Sequence, residues 1–109
     1  MQSREKSILC RSEHGFLSVL HHGLAYAFTF KNIDLLLEPD EIDVFKQTLE
    51  DLDEQDWFLL PKGKFTLFSV VRSNASFYLD EAEVNEMIRL LQEASAMVKV
   101  HQRLFNRVR

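Results

Sequence analysis

The chain has 109 residues, a formal net charge of −4 at pH 7 and a single cysteine, Cys10. This length predicts one domain, residues 1–109, that buries about two-thirds of its unfolded surface. One cysteine excludes an intramolecular disulfide and favours a reducing compartment, so we expect a cytoplasmic protein. The mildly acidic charge gives no reason to expect nucleic-acid binding. The longest apolar run, residues 16–30, is too short to span a membrane.

The N-terminal part of the chain has the alternation of half-buried strands. We predict a short edge strand at 8–10, a strand at 16–20 and a turn at His21–Gly23. The clearest strand is 24–30, because its large apolar residues fall on one face and small ones on the other. Residues 33–37 return as its hairpin partner. These patterns predict an antiparallel sheet.

Two helices and a second hairpin follow. The first helix is predicted over about 39–55, with one apolar stripe formed by Ile42, Phe45, Leu49 and Leu52. An unusually apolar connector at 57–60 and a turn at 61–63 lead to strands at 64–71 and 75–79. The second helix begins after Asp80. The fold class is therefore α+β, with two layers: an antiparallel sheet of about five strands and two helices on one face.

The junction between hairpin and helix occurs twice. The segment 32–42 recurs at 74–84 without a gap, starting with Asn32 and Asn74, which suit the positive φ of tight turns. Glu38 and Asp80 are the predicted N-caps, and Glu41 and Glu83 follow at the capping-box position. We interpret this as an internal ββα pseudo-repeat with halves at about 16–56 and 57–98.

The apolar stripe of the second helix continues from Val84 to Val108 without Gly or Pro. Unbroken, this helix would be about 40 Å long, against a radius of gyration of about 13 Å for such a domain. Either the helix breaks near Ser95-Ala96 and folds back, or a helical extension over 96–109 packs on a second copy. We favour the homodimer, with an interface formed by Val98, His101, Leu104, Phe105 and Val108.

Candidate chemistry is sparse. Thiolate and imidazole are zinc ligands, so the residues that could bind a metal are Cys10, His14, His21 and His22. The alternative is a polar hairpin end beside a buried thiol. A nucleophilic pair of Cys10 with a histidine is conceivable, but a buried lone cysteine is usually inert. No Gly-rich phosphate loop, nucleotide motif or zinc-protease motif is present, and we expect no cofactor.

Charged clusters also have structural explanations. The acidic residues around the first helix fit a solvated helix face, or else an acidic docking surface for a basic partner. The cations near the C-terminus complement the negative end of the helix dipole; they are Lys99, Arg103, Arg107 and Arg109. We therefore do not expect nucleic acid as a partner.

The segment from Cys10 to Leu52 combines a cysteine, aromatic strands, Asn32-Ile33 and the run Pro39-Asp40-Glu41-Ile42. In these features it resembles small bacterial proteins of unknown function, which implies a bacterial cytoplasmic origin and no particular activity. The leading hypothesis is a homodimeric protein-interaction or structural module, with a possible further protein partner. The alternatives are a small-ligand or metal-binding protein and a small enzyme with a cleft at the pseudo-symmetry axis or dimer seam.

Overall fold

A computed structural model describes residues 8–20, 25–69 and 76–108, with backbone only at 69 and 105–108. Its strands are β1 (Ile8–Arg11), β2 (Gly15–Leu20), β3 (Ala25–Phe30), β4 (Ile33–Leu37), β5 (Trp57–Leu60), β6 (Gly63–Ser69) and β7 (Ser76–Asp80). Its α-helices are α1 (Pro39–Glu50) and α2 (Glu81–Val108), and a short 3-10 helix spans Glu54–Asp56. The α+β class is confirmed.

The strands form two antiparallel sheets where we predicted one sheet of about five strands. The first has the order β1-β2-β3-β4 and the second β5-β6-β7. The residues that we predicted as a connector, 57–60, are β5, which pairs with β6 from Trp57↔Thr66 to Leu60↔Gly63. Helix α1 lies between β4 and β5 in the chain, and its Phe45 ring contacts one strand of each sheet.

Helix α1 begins where the sequence predicted and ends earlier. The Glu41 carboxylate accepts a hydrogen bond of 2.8 Å from the backbone N–H of Glu38, and Pro39 occupies the first turn. The helix ends at Glu50, five residues before the predicted end. Beyond it the Asp53 carboxylate accepts from the N–H of Gln55 at 3.0 Å and starts the 3-10 helix instead.

The start of α2 is a complete capping box. The Asp80 carboxylate accepts from the N–H of Glu83 at 2.8 Å, and the Glu83 carboxylate accepts from the N–H of Asp80 at 2.9 Å. The sequence suggested a positive φ at Asn32 in the first hairpin turn. The residue with positive φ is instead its neighbour Lys31 (53°). The corresponding Asn74 lies outside the described residues.

Helix α2 is continuous from Glu81 to Val108, so the alternative with a break near Ser95-Ala96 is wrong. Ser95 is buried, and its hydroxyl donates to the Asp43 carboxylate of α1 at 2.6 Å. Ala94 beside it is fully buried. The small side chains at this point therefore serve the contact between α1 and α2 and do not interrupt the helix.

One hydrophobic core joins the helices to both sheets, and its centre is a row of three aromatic rings. The ring centroid of Phe45 in α1 lies 5.3 Å from that of Phe28 in β3, in an edge-to-face contact. It also lies 5.3 Å from the ring centroid of Phe68 in β6, in a stacked contact. The apolar faces of the predicted strands and helices predict which residues form the core. Most of these residues are buried, namely Tyr26, Phe28, Leu37, Phe45, Leu49, Phe68, Leu79, Val84, Met87 and Leu91. Leu35 and Phe77 are only partly buried, and Val70 lies outside the described residues.

Replacement of Phe45 should therefore loosen both sheets at once. We expect Phe45→Ala to lower the free energy of unfolding by about 3–5 kcal/mol, since it leaves a cavity between two rings. Val44→Ala on the same helix, where the side chain is 51% exposed, should cost about 0.5 kcal/mol or less. Urea unfolding followed by fluorescence measures both, and similar losses for the two variants would contradict this account of the core.

Candidate functional site

The turn between β1 and β2 is held by one carboxylate of α2. Glu86 is 9% exposed and accepts three hydrogen bonds: from the Ser12 hydroxyl at 2.6 Å, from the His14 backbone N–H at 2.7 Å and from the His14 ring Nδ1 at 2.7 Å. Within the turn, the Ser12 N–H donates to the Gly15 carbonyl at 2.8 Å. Glu86 thus fixes a hairpin turn more than 70 residues away in the chain.

These contacts decide the charge of Glu86. Burial raises the pKa of its carboxyl, but the hydrogen bonds from His14 and Ser12 outweigh burial and lower the pKa below its ordinary value. The carboxylate is therefore ionised at neutral pH and suits a structural latch. Because Ser12 donates to Glu86 and not to His14, the three residues do not have the relay arrangement of a Ser-His-acid triad.

The next hairpin turn is held by the same helix. Lys31 Nζ lies 2.6 Å from the second oxygen of Glu83, whose first oxygen belongs to the capping box. The Lys31 N–H also donates to the His14 carbonyl at 2.8 Å, which links the two turns. The first turns of α2 thus bind this end of the four-stranded sheet through Glu83 and Glu86.

Two adjoining hollows flank the β1–β2 turn. One, of about 370 Å³, lies between the turn and α2, and its charged lining residues are Arg11, Glu13, Glu86, Arg89 and Glu93. The other, of about 300 Å³, lies under residues 11–16. Their lining combines both signs of charge, so the hollows could accept a small polar ligand but have no clear preference for an anion or a cation.

The predicted metal ligands are partly described. Cys10 is buried, whereas the His14 side chain is 41% exposed and turned toward Glu86. Burial and the nearby Glu93 raise the pKa of Cys10 to about 11, so it is a neutral thiol at pH 7. His21 and His22 lie outside the described residues. Over the described ranges, no three His, Cys, Asp or Glu side chains form a group suited to a metal.

The distal part of α2 contacts its own chain as far as His101 and Gln102, although the length of the helix suggested that this part would project from the domain. The buried Tyr26 hydroxyl accepts from the Gln102 amide at 2.9 Å and lies 3.1 Å from the His101 ring. Burial raises the pKa of this hydroxyl, and the Gln102 hydrogen bond partly offsets the rise. His101 is half-buried and contacts its own chain.

The five residues of the predicted dimer interface therefore have different surroundings. Val98 is buried in the core, and His101 contacts Tyr26. Leu104 is 55% exposed, and Phe105 and Val108 lie in α2 with undescribed side chains. The exposed apolar residues of this part of α2 follow a neighbouring stripe, formed by Met97, Val100 and Leu104.

The three-stranded sheet exposes a larger apolar surface than distal α2 does. The pairing places Phe58, Leu60, Phe65, Leu67 and Tyr78 on the face that points away from the core. Four of these side chains are 37–60% exposed, and Phe58 packs edge to face on Tyr78 at 5.9 Å. Leu59 lies on the other face of β5, beyond the part that the core covers, and is 81% exposed. We call the exposed residues of the outward face the β5–β7 surface: Phe58, Leu60, Leu67 and Tyr78.

Sequence reasoning missed both features. Glu86 gave no local signal, because its partners Ser12 and His14 are far away in the chain. The β5–β7 surface did give a local signal. Residues 57–60 are four consecutive large apolar residues, whereas a strand with one solvated face normally alternates apolar and polar residues. The run by itself does not distinguish an exposed strand from the apolar connector predicted above.

The Glu86 latch should make stability depend on pH. Its folded pKa lies below the ordinary value of 4.5, so its contribution is present above pH 4.5 and is lost as the pH falls through the lowered folded pKa. Glu86→Gln should cost about 1–2 kcal/mol at pH 7, because charge-assisted hydrogen bonds are replaced by neutral ones. Urea unfolding at pH 7 and pH 3 tests this, and an unchanged pH dependence in the variant would contradict it.

Cys10 should be unreactive in the folded protein. Its raised pKa leaves about 100-fold less thiolate than an ordinary cysteine at pH 8, and burial blocks access further. We expect slow reaction with a disulfide reagent such as DTNB under native conditions and rapid reaction in concentrated urea. Fast native labelling would instead favour a reactive or metal-binding thiol.

Comparison with known proteins places the chain in a family without assigning an activity. No helix in the described part of the chain is long and apolar enough to cross a membrane. The chain has no significant match among curated proteins or among solved structures. The model of one protein family matches residues 1–105, which is nearly the whole sequence. The chain therefore belongs to DUF6686, a family of unknown function.

Proposed function

We propose that the protein is a homodimeric protein-interaction module that self-associates through its three-stranded sheet. The observation that carries the proposal is the β5–β7 surface, where large apolar side chains are exposed together instead of singly. Contiguous apolar patches of this kind usually mark interaction sites.

The size of the surface fits a second copy as the occupant. At roughly 150–250 Å² for a large side chain, the exposed fractions of these four residues amount to about 280–470 Å² of apolar area. A standard interface buries about 800 Å² per partner, and in homodimers about 65% of that is apolar. The exposed apolar area of this face is therefore more than half of what one side of a stable dimer needs.

The stripe on distal α2 is the competing interface. It exposes Met97, Val100 and Leu104, but Lys99 and Arg103 lie beside it and are charged. Charged residues are depleted in interface centres. Val98 and His101 of the predicted interface already contact their own chain, which favours the sheet as the interface.

A small-ligand-binding protein is the second candidate, and the hollows beside the β1–β2 turn favour it. Their volumes of about 370 and 300 Å³ are in the lower range of ligand pockets. Arg11 and Arg89 could bind acidic groups of a ligand there, and Glu13 and Glu93 could bind basic ones. This function predicts an adduct of metabolite mass on the purified protein that Arg89→Ala loses.

Two further properties belong to the proposal. A cytoplasmic location in a bacterium is supported by the lone cysteine and by the resemblance described above. A duplicated ββα unit is supported by the helix starts, Pro39 and Glu81, which lie 42 residues apart, each after a hairpin and each with a glutamate two residues further on.

The test of the dimer is its mass and its response to two variants. Native mass spectrometry of the untagged protein should show twice the chain mass of 12.8 kDa. Leu60→Lys should give a folded monomer, because it places a charge in the β5–β7 surface on strand β5. Leu104→Asp is the matched control on α2 and should leave the dimer intact.

The reverse result would move the interface to distal α2. A wild-type protein that stays monomeric at high micromolar concentration would contradict the proposed function altogether. Circular dichroism of both variants establishes that they are folded.

A further inference from the structure

The proposed dimer leaves open how two copies meet, and strand β5 supplies an answer. Among the described residues β5 pairs with β6 and with no other strand, so one of its edges is unpaired. Natural proteins protect such edges with charged residues, proline or bulges. β5 consists of Trp57-Phe58-Leu59-Leu60 and has none of these within the strand.

The end of the β5–β6 hairpin is also uncovered on both faces. Trp57 and Thr66 pair near the core, and Thr66 is buried. Leu59 and Lys64 form the next pair on this face, and both side chains are exposed. The face therefore packs on the core at Thr66 but not at the end of the hairpin. The hairpin end therefore projects past the core with its apolar edge accessible to another chain.

Charge at the two ends of β5 makes the strand complementary to itself. The segment before it is acidic, with Asp53, Glu54 and Asp56, and the turn after it contains Lys62. Two antiparallel copies would bring the acidic start of each strand beside the basic turn of the other. Such end-to-end complementarity favours the same strand of a second copy as partner.

The alternation of side chains restricts the register. A two-fold axis perpendicular to a sheet keeps each side chain on its own face. Because side chains alternate between faces along a strand, two residues can pair only if both have odd residue numbers or both have even ones. With the axis at Leu59, the most exposed residue of the strand meets its own copy. Phe58 then lies opposite Leu60, and Asp56 lies opposite Lys62.

We propose that β5 pairs antiparallel with β5 of a second copy about a two-fold axis at Leu59. The result is a continuous six-stranded sheet with the order β7-β6-β5-β5-β6-β7. This inference rests on the proposed homodimer and places its seam at the edge of β5. Phe58 and Leu60 of the β5–β7 surface then meet the second copy, whereas Leu67 and Tyr78 stay on the outward face of the joined sheet. The β5 pairing explains why the edge strand is apolar on both faces, since Phe58 and Leu60 gain cross-strand partners and Leu59 is covered.

Disulfide trapping in the full chain tests the geometry. Residues directly opposite in an antiparallel pair have Cα atoms about 4.5–5.5 Å apart, which a disulfide can span. Leu59→Cys should therefore form a covalent dimer under mild oxidation, seen as a doubled mass without reductant. The native Cys10 is buried and should not contribute.

Two exposed positions provide matched controls. Lys64→Cys lies opposite Leu59 on β6, away from the free edge, and Leu104→Cys lies on distal α2. Neither should form the covalent dimer under the same conditions. A dimer trapped equally well by all three cysteines would show only random collision and would overturn the proposed register.

A charge exchange tests the ends of the strand independently. Lys62→Asp should weaken dimerisation by about 10-fold, because two like-charged pairs replace two opposite ones. Adding Asp56→Lys should restore it, which a purely local disturbance would not do. Sedimentation equilibrium measures the dissociation constants.

The outcomes separate this inference from the proposed function. A native dimer that is neither trapped by Leu59→Cys nor rescued by the charge exchange would overturn the β5 pairing and leave the homodimer in place. A monomeric wild-type protein would overturn both.

Discussion

The contact on which the rest of the structure depends is the insertion of the Phe45 ring between Phe28 and Phe68. It joins an α-helix to one strand of each sheet. A three-stranded sheet is close to the smallest that is stable even with a packed face, so β5–β7 requires a helix to cover it. Phe45 provides part of that cover and at the same time connects the second sheet to the first.

Helix α2 completes the domain by polar contacts as well as apolar ones. Its buried face runs through Val84, Met87, Leu91, Ala94 and Val98. Its first turns carry Glu83 and Glu86, which bind the turns of the four-stranded sheet. Apolar packing alone would tolerate some sliding of the helix, whereas hydrogen bonds at fixed positions select one register. We therefore interpret Glu86 as a residue that gives the fold specificity.

Within the described part of the chain, this arrangement covers only one face of the three-stranded sheet. Helices pack on the face with Thr66, Phe68 and Leu79, which are buried, while the opposite face is apolar and exposed. A monomeric domain would normally have polar residues there, as antiparallel sheets with one solvated face do. The excess of apolar residues is concentrated in β5–β7 and is the physical basis for proposing self-association there.

Local interactions explain what the sequence by itself determined. The capping residues at Glu41 and Glu83, the hairpins and most of the core could be predicted, because caps act within one helical turn and strand alternation needs only neighbouring residues. The resemblance to proteins of unknown function was also visible in the sequence and is confirmed by the family match.

Only the tertiary structure decided the division into two sheets, the role of Glu86 and the exposure of β5. Glu86 meets Ser12 across 74 positions of the chain, and no periodicity connects such distant residues. Likewise, Val98 and Leu104 look alike in the stripe of α2, yet one is buried and the other is 55% exposed. Which apolar residues remain at the surface depends on where the packed elements end, and that is a property of the assembled fold.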